Sequence, residues 1–194
     1  MSEPLRLVVL ASGTGSLAEA LIEATRAGRV AGRVVALGAD RPARASTIAA
    51  DAGIATFTVR PSDFPTRELW DVAIARAVAA FEPDLVVSAG FMRVLGPQFL
   101  NRFGGRTINT HPALLPAFPG AHAVRDALAA GVGETGCTVH WVDAGVDTGP
   151  VIGQRRVPVL AGDDESTLHE RIKAQERELL VATVAGLAAA PPGV

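Results

Sequence analysis

The sequence predicts an open, doubly wound α/β fold whose sheet is mostly parallel. Over the first 120 residues, short runs of Val, Leu, Ile and Ala alternate with amphipathic segments. Strands that are apolar without interruption are typical of parallel sheets, because helices cover both faces of such a sheet. The alternation of strand and helix predicts the same architecture.

The first part of the chain, residues 1–120, supplies the parallel strands. Strands are predicted at residues 5–11, 33–39, 54–59, 84–89 and 106–110. Helices are predicted between them, at residues 17–27, 43–52, 67–81 and 97–102. Gly53 is expected to end the second helix, as glycine commonly does.

The second part, residues 121–194, changes character. The sequence predicts a short helix at 124–130, a hairpin of two strands at 135–142 and 151–159, and a long helix at 163–189. Acidic residues at the start of the long helix suit the positive end of its dipole. The tail, 190–193, is expected to fray. No repeat or flexible linker separates the two parts, so we expect a single domain over residues 1–194.

Composition excludes several classes of function. The net charge is -2 and the Lys and Arg residues are scattered, so the sequence predicts no basic surface for nucleic acid. No apolar run reaches the ~18 residues that span a bilayer, and the first six residues do not resemble a signal peptide. We therefore expect a cytoplasmic protein without a membrane partner. The single cysteine, Cys137, excludes an internal disulfide and is expected to be buried.

A glycine-rich turn, residues 12–16, follows the first predicted strand and opens the first helix. Backbone amides at a helix N-terminus favour an anion, and this turn lies where ligands bind in such folds, so we expect it to bind phosphate. The turn also fits a dinucleotide fingerprint that ends at Ala18, with Asp40 as the acid for a ribose. A nicotinamide-dependent oxidoreductase and a non-catalytic nucleotide-binding module therefore stay open as alternatives.

Asn109 and His111 are the strongest catalytic candidates. They stand two residues apart at the end of a predicted strand, so their side chains share one face. Pro112 favours extended backbone at His111, and further prolines stiffen the loop up to Gly120. A side-chain amide can donate to an oxyanion, and a protonated imidazole can donate and then move a proton. The pair is typical of a site where a carbonyl carbon becomes tetrahedral.

A turn between the last two predicted strands, residues 143–150, carries the acid Asp147. A carboxylate beside His111 would favour the charged imidazolium, which free histidine populates only in part at pH 7. Spacing along the chain does not place Asp147 near His111, and Asp is common in turns for structural reasons as well.

The other histidines are weaker candidates. His140 lies within a predicted strand and is expected to be a partly buried structural residue. His122 begins a short helix beside the proline-rich loop, and a supporting or a substrate-contacting role is open for it. His169 is expected on the surface of the last helix. No pair has metal-ligand spacing, so no metal site is predicted.

Four segments together resemble the folate-dependent phosphoribosylglycinamide formyltransferases, a family of purine biosynthesis. They correspond to the family's S-G-x-G-S turn, its A-G-[FY]-M-R segment, its N-x-H-P-[SA]-L-L-P-x-[FY]-x-G loop and its D-x-G-P-[VI]-[IV] turn. In this chain the four segments are residues 12–16, 89–93, 109–120 and 147–152. The resemblance covers residues 7 to about 180 and implies a Rossmann-like formyltransferase fold.

The resemblance also implies roles for individual residues. Asn109, His111 and Asp147 would be the catalytic trio, with Asp147 keeping His111 protonated. The residues that would bind the substrate glycinamide ribonucleotide are Gly15, Ser16, Leu17, Lys173 and Glu176. The residues that would bind the folate are Arg67, Met92, Arg93, Val94, Leu95, Asn109, Asp143, Ala144, Gly145, Val146 and Asp147.

Two details of the resemblance concern single positions. Many members carry Asn where this chain has Leu17, so a side-chain contact to the phosphate is lost and a backbone amide is left. The family also implies a cis peptide bond before Pro116.

The function implied is transfer of the formyl group of 10-formyltetrahydrofolate to the amine of glycinamide ribonucleotide. The transfer would pass through a tetrahedral oxyanion and would need no metal. Formyltetrahydrofolate hydrolases share the Asn/His loop but carry an N-terminal regulatory domain, and methionyl-tRNA formyltransferases carry a further C-terminal domain. Neither domain is expected here, although hydrolysis and other folate-dependent formyl transfers stay alternatives. The sequence leaves both a monomer and a homodimer open.

Overall fold

A seven-stranded sheet is the central element of the computed structural model, which describes residues 3–189. Its strands are β1 (Leu5–Leu10), β2 (Gly32–Ala39), β3 (Ala55–Thr58), β4 (Leu85–Ser88), β5 (Thr107–His111), β6 (Glu134–Trp141) and β7 (Val151–Pro158). Their order across the sheet is β3-β2-β1-β4-β5-β6-β7. The first five strands are parallel, whereas β6 is antiparallel to β5 and β7 is antiparallel to β6. The predicted α/β fold, with its mostly parallel sheet and C-terminal hairpin, is confirmed.

Six helices connect the strands within the described residues. They are α1 (Ser16–Arg26), α2 (Arg44–Asp51), α3 (Arg67–Ala79), α4 (Pro97–Phe103), α5 (Ala123–Ala129) and α6 (Glu165–Ala189), with a short 3-10 turn at Pro61–Asp63 before α3. Each predicted helix is present. The last helix begins at Glu165, two residues later than predicted. Asp164 precedes it as the N-cap, because its Oδ1 accepts from the Thr167 amide at 2.8 Å. The tail predicted to fray at 190–193 lies outside the described residues.

The central strand β1 is buried on both faces, as its uninterrupted apolar run predicts. Leu7 and Val9 belong to the hydrophobic cluster that α1, α2, α5 and α6 cover. Val8 and Leu10 point to the other face and pack with Trp70 and the rest of α3 and α4. Alternate side chains of one strand therefore join two cores, and the helices form a layer on each side of the sheet.

The strand order reverses at β1. Chain connections run from β1 through β2 to β3 in one direction, and β4 and β5 lie on the other side of β1. At such a reversal the loops that follow β1 and β4 separate and leave a crevice at the carboxyl edge of the sheet. The end of β5 reaches the same edge, so the fold brings the glycine turn and the Asn/His pair to one place.

Two further sequence expectations concern burial and membranes. Cys137 lies on β6 with its side chain in the core, as predicted, and burial raises the pKa of its thiol to about 12. Across residues 3–189, every helix is too short or too polar to cross a membrane.

A buried carboxylate, that of Asp71 on α3, organises the start of α4. It accepts from three backbone amides, those of Gly96 at 2.7 Å, Gln98 at 2.8 Å and Phe99 at 3.2 Å. A helix leaves its first amides without partners, and here a side chain from another helix satisfies them. Asp71 therefore fixes the segment that joins β4 to α4.

Replacing Asp71 with Ala is expected to lower the free energy of unfolding by about 2–4 kcal/mol, because buried amides lose their acceptor. Urea unfolding followed by circular dichroism measures this loss. The control is Asp51→Ala, which removes an exposed carboxylate at the end of α2 and should stay within about 0.5 kcal/mol of the wild type. Equal stability of the two variants would contradict the capping role.

Candidate active site

A cavity of about 470 Å³ opens at the carboxyl edge of the sheet. Its walls are the turns after β1 and β4, the end of β5, the turn between β6 and β7, and one face of α6. The cavity lies beside the reversal of strand order, where open α/β sheets bind ligands. The glycine turn, the Asn/His pair and the Asp147 turn all reach it, although the chain separates them widely.

The turn that begins α1 forms one wall. Gly15 has a left-handed φ of 83°, and a β-carbon there would lie 2.6 Å from the Cα atom of Ala45. Only glycine adopts this φ without strain, and it has no β-carbon to clash with Ala45. The start of α1, from Ser16, can therefore border the cavity with its free backbone amides. Leu17 also lines the cavity, but its side chain is largely buried and packs into the core. This wall offers an anion the backbone amides and the positive end of a helix dipole.

Asn109 is oriented from two sides. The Ser88 hydroxyl donates to its Oδ1 at 2.7 Å, and its Nδ2 lies 3.2 Å from Nε2 of His140, its partner across β5 and β6. Nδ1 of His140 lies 2.9 Å from the carbonyl oxygen of Trp141, which can only accept. Nδ1 of His140 therefore carries a hydrogen. Nε2 accepts from Asn109 when the ring is neutral, and it donates to Asp147 when the ring is an imidazolium. One hydrogen of the Asn109 amide is left for a ligand.

His111 lies between two acceptors. Its Nδ1 is 3.3 Å from Oδ2 of Asp147, and its Nε2 is 2.8 Å from the carbonyl oxygen of Phe118. Both contacts are hydrogen bonds at the same time only when both ring nitrogens carry hydrogen, as they do in the imidazolium. Phe118 has a φ of 53°, which is an outlier for a bulky residue. The loop after β5 therefore holds a strained residue directly against the imidazole.

Asp147 joins the cluster from the turn between β6 and β7. The Gly120 amide donates to its Oδ2 at 2.8 Å, and Nε2 of His140 lies 3.5 Å from its Oδ1. Gly120 has a φ of 90° and Asp147 itself has a φ of 55°, a conformation that Asp tolerates better than most residues. Burial raises the pKa of Asp147, but its contacts with His140, Gly120 and His111 outweigh burial and hold the pKa below its ordinary value. The carboxylate is therefore ionised at neutral pH.

One face of α6 supplies three more side chains, those of His169, Lys173 and Glu176. Their spacing of four and three residues places them in a row along the helix. Nζ of Lys173 lies 2.8 Å from Oε1 of the exposed Glu170. Glu176 is 4% exposed, and among the described residues no donor binds its carboxyl group. Burial raises the pKa of Glu176 to about 7, against the opposing charges of Lys173 and a neighbouring arginine.

The histidines differ in part from the sequence predictions. His140 is buried, as expected, but it also contacts Asn109 and Asp147, which the sequence did not indicate. The prediction that His169 lies on the surface is wrong, since it is half-buried and lines the cavity. His122 is exposed and lies outside the cavity wall. In the part of the chain that the structure describes, no group of three or more His, Cys, Asp or Glu side chains is arranged to hold a metal ion.

Comparison with known proteins gives the family. Residues 5–184 match the family described as formyl transferase. The chain belongs to the formyl transferase family. It is 68% identical over 187 residues to phosphoribosylglycinamide formyltransferase of Mycobacterium tuberculosis (strain ATCC 25618 / H37Rv). The aligned region covers 96% of this chain and 86% of that protein. It is 42% identical over 176 residues to the protein of the same name from Escherichia coli (strain K12), with coverage of 90% and 83%.

Solved structures of the family share the fold. The crystal structure of glycinamide ribonucleotide transformylase 1 from Symbiobacterium toebii is 41% identical in sequence and gives a TM-score of 0.95, covering 97% of this chain and 89% of that one. The predicted Rossmann-like formyltransferase fold and the assignment as a formyl transferase enzyme are therefore confirmed. The peptide bond between Leu115 and Pro116 is cis, as the family resemblance implied.

The family implies a folate co-substrate, and most of the residues predicted to bind it lie at the mouth of the cavity. Met92, Val94 and Val146 each expose half or more of their surface. Large apolar side chains exposed together are typical of a surface that a ligand covers. Leu95 is buried behind them and lines the cavity wall.

Two residues predicted to bind folate, Arg67 and Ala144, lie outside the cavity wall. Arg67 donates to the carbonyl oxygen of Val94, and its guanidinium lies 4.6 Å from the centre of the Trp70 ring. It braces the mouth of the cavity from outside. Ala144 is exposed in the turn between β6 and β7. The folate contacts of Arg67 and Ala144 stay predictions, and Arg67 supports the neighbouring wall through its hydrogen bond to Val94.

Asp143 shapes the same turn. Its Oδ1 accepts from the Gly145 amide at 3.0 Å and from the Thr148 hydroxyl at 2.7 Å, which is the hydrogen bonding of an Asx turn. Both Asp143 and Gly145 line the cavity. The carboxylate thus fixes the turn that carries Val146 and Asp147 to the site.

Asp40, the acid that a dinucleotide site would use, is already paired. Its side chain has no exposed surface, and its Oδ2 lies 2.7 Å from Nε of Arg93 and 2.8 Å from Nη2 of Arg41. Burial raises the pKa of Asp40, but hydrogen bonds from Arg41, Ser12 and Arg93 lower it to about 2. A ribose has no access to this carboxylate, so the fingerprint does not favour a nicotinamide enzyme. Asp40 instead anchors Arg93 in the cavity wall.

Replacing Glu176 with Gln tests its unpaired buried carboxyl. Its pKa is about 7 in the folded protein, against an ordinary value of 4.5. The folded state therefore holds more protons between these values, and the stability of the wild type falls as pH rises through them. Relative to the wild type, Glu176→Gln is expected to gain on the order of 2 kcal/mol between pH 5 and pH 8 in urea unfolding.

Glu178→Gln is the matched control, since Glu178 lies on the same helix with its side chain 62% exposed. Its stability difference from the wild type should be small and similar at each pH. A difference for Glu176→Gln that does not change with pH would contradict the raised pKa of Glu176.

Proposed function

We propose that this chain transfers the formyl group of 10-formyltetrahydrofolate to the amine of glycinamide ribonucleotide. The relative from M. tuberculosis, 68% identical to this chain, is named phosphoribosylglycinamide formyltransferase. The observation that carries the proposal is the convergence of Asn109, His111 and Asp147 on a cavity that also has an anion-binding wall and a buried acid. A phosphorylated amine and a formyl donor need these features together.

The ribonucleotide fits the inner walls of the cavity. Its phosphate would lie against the amides at Gly15 and Ser16, where the dipole of α1 favours negative charge. Glu176 would bind the ribose hydroxyls, because a carboxyl group without another partner can accept from them when ionised and donate to them when protonated. Lys173 lies one turn of α6 before Glu176 and adds positive charge nearby.

The folate fits the apolar mouth. Met92, Val94 and Val146 would cover its rings, and the turn fixed by Asp143 would give it backbone groups. This places the formyl group beside Asn109, whose amide has one hydrogen to offer. A monomer and a homodimer are both compatible with this arrangement, because every residue it uses lies on one chain.

The chemistry follows from the three catalytic candidates. The amine attacks the formyl carbon, a carbon–nitrogen bond forms, and the formyl oxygen becomes an oxyanion. Asn109 donates to that oxygen through Nδ2. His111 donates to it through Nε2, whose hydrogen is then shared between the oxyanion and the carbonyl oxygen of Phe118. The bond to the folate nitrogen then breaks. The proton lost by the amine passes through His111 to that nitrogen, so no charge accumulates.

Hydrolysis of the formyl folate is the closest alternative, because water could use the same trio in place of an amine. The inner walls favour transfer, since hydrolysis would give the amide wall at Gly15 and the buried Glu176 no ligand. Product analysis with 10-formyltetrahydrofolate tests this directly. We expect formylated ribonucleotide to form only when glycinamide ribonucleotide is present. Release of formate at the same rate without the amine would contradict the proposal.

Replacing Asp147 with Asn removes the charge 3.3 Å from His111 and keeps the shape of the side chain. We expect kcat to fall on the order of 10²-fold or more, because the imidazolium loses its stabilising carboxylate. Steady-state rates at neutral pH measure this loss.

The control for this variant is Asp126→Asn, which alters an exposed ion pair with Arg125 on α5. Its rate should match that of the wild type. Full activity of Asp147→Asn would remove Asp147 from the mechanism.

A further inference from the structure

We propose that His169 binds the phosphate of the amine substrate as an imidazolium, together with the amides of the turn that begins α1. The inference rests on the proposed function, which places a phosphate monoester in this cavity. It assigns a substrate-binding role to a side chain on α6 that faces the cavity and does not take part in the transfer step.

The position of His169 follows from the row of side chains on α6. Glu176 lies at the inner end of the row, Lys173 lies one turn away, and His169 lies one turn further. The two ends are about 10 Å apart along the helix axis. If the ribose lies at Glu176, its phosphate reaches the level of Lys173 and His169. Because α1 packs against α6, the amides at Ser16 border this same region.

The charge of the phosphate favours a cation on this wall. A phosphate monoester carries about −1.5 to −2 at neutral pH, whereas a helix N-terminus offers the equivalent of only about +0.5. The charge of Lys173 is partly offset by Glu170, whose Oε1 lies 2.8 Å from its Nζ. Leu17, at the start of α1, offers a backbone amide but no polar side chain.

His169 is the basic side chain of the cavity wall that has no acidic partner. Arg93, His111, His140 and Lys173 each lie within 4 Å of a carboxylate, at 2.7, 3.3, 3.5 and 2.8 Å. Within residues 3–189, no carboxylate lies within that distance of His169. An anionic ligand would therefore be the partner that neutralises it.

The environment of His169 makes this binding depend on pH. Burial and the charge of Lys173 lower the pKa of His169, whereas Glu170 and Glu165 oppose them less strongly. No charged side chain from another described element contributes. A bound dianion would favour the charged ring, so binding takes up a proton. Affinity for the phosphate should consequently fall as pH rises from the pKa of the free ring, which lies below its ordinary value of 6.5, to the higher pKa of the ring in the complex.

The test replaces His169 with Gln, which keeps a hydrogen-bond donor and removes the charge. At pH 6.5, KM for glycinamide ribonucleotide should rise about tenfold or more, while kcat and KM for 10-formyltetrahydrofolate stay within about twofold. In the wild type, KM for glycinamide ribonucleotide should rise with pH. In His169→Gln this dependence on pH should be weaker. His122→Gln, an exposed histidine outside the cavity, is the matched control and should behave as the wild type.

A second measurement separates this inference from the proposed function. Imidazole resonances of the wild-type protein are titrated by NMR with and without ribose 5-phosphate, which has the phosphate but no amine. We expect the pKa of His169 to rise on binding and that of His122 to stay constant.

The possible outcomes are distinct. An unchanged His169 titration with ribose 5-phosphate, or an unchanged KM in His169→Gln, overturns the inference even if the wild type formylates glycinamide ribonucleotide. A raised His169 pKa in a protein that does not formylate this amine would support the phosphate site and contradict the proposed function.

Discussion

The carboxylate of Asp147 is the constraint on which the rest of the active site depends. It meets the Gly120 amide, Nδ1 of His111 and Nε2 of His140, which belong to three different segments of the chain. A buried charge is costly unless it is paired and hydrogen-bonded, so these segments pack stably only where they satisfy it. The side chain of Asn109 contacts His140 and so borders the same group of residues. The donors of the site are therefore positioned by the fold, and substrate binding does not have to arrange them.

The other buried acids divide into two kinds. Asp71 and Asp40 are saturated with donors, and each fixes a part of the segment after β4 that forms the cavity wall. Glu176 lacks such donors in the described structure and takes up a proton instead, as its raised pKa shows. An unpaired polar group lowers stability, and proteins keep such groups mainly where a ligand binds them. His169 lies at the other end of the same helix face without an acidic partner within 4 Å in the described residues, and burial lowers its pKa, which favours the uncharged ring until an anion binds.

The order of strands explains why these groups meet. Parallel strands on both sides of β1 bring the glycine turn and the end of β5 to one edge. The antiparallel β6 then pairs with β5 in a register that sets His140 opposite Asn109, and its connection to β7 returns Asp147 to the same edge. α6 packs across α1 and closes the inner side. A mostly parallel sheet with one antiparallel hairpin thus surrounds the cavity with residues from almost the whole length of the chain.

Hydrophobic period, glycine turns and the Asn109–His111 spacing are local properties, so the element types, the fold class and two catalytic candidates could be predicted from the sequence, and the family resemblance added Asp147. The sequence could not determine which distant groups touch. The contact of Asp147 with His111, the register that brings in His140 and the inward turn of His169 depend on how strands and helices pack, and spacing along a chain does not encode those distances. The hydrogen bond of Arg67 to the carbonyl oxygen of Val94 likewise joins residues that stand 27 apart in the chain. Burial, pairing and pKa depend on how distant segments pack, and for this reason they became known only from the folded chain.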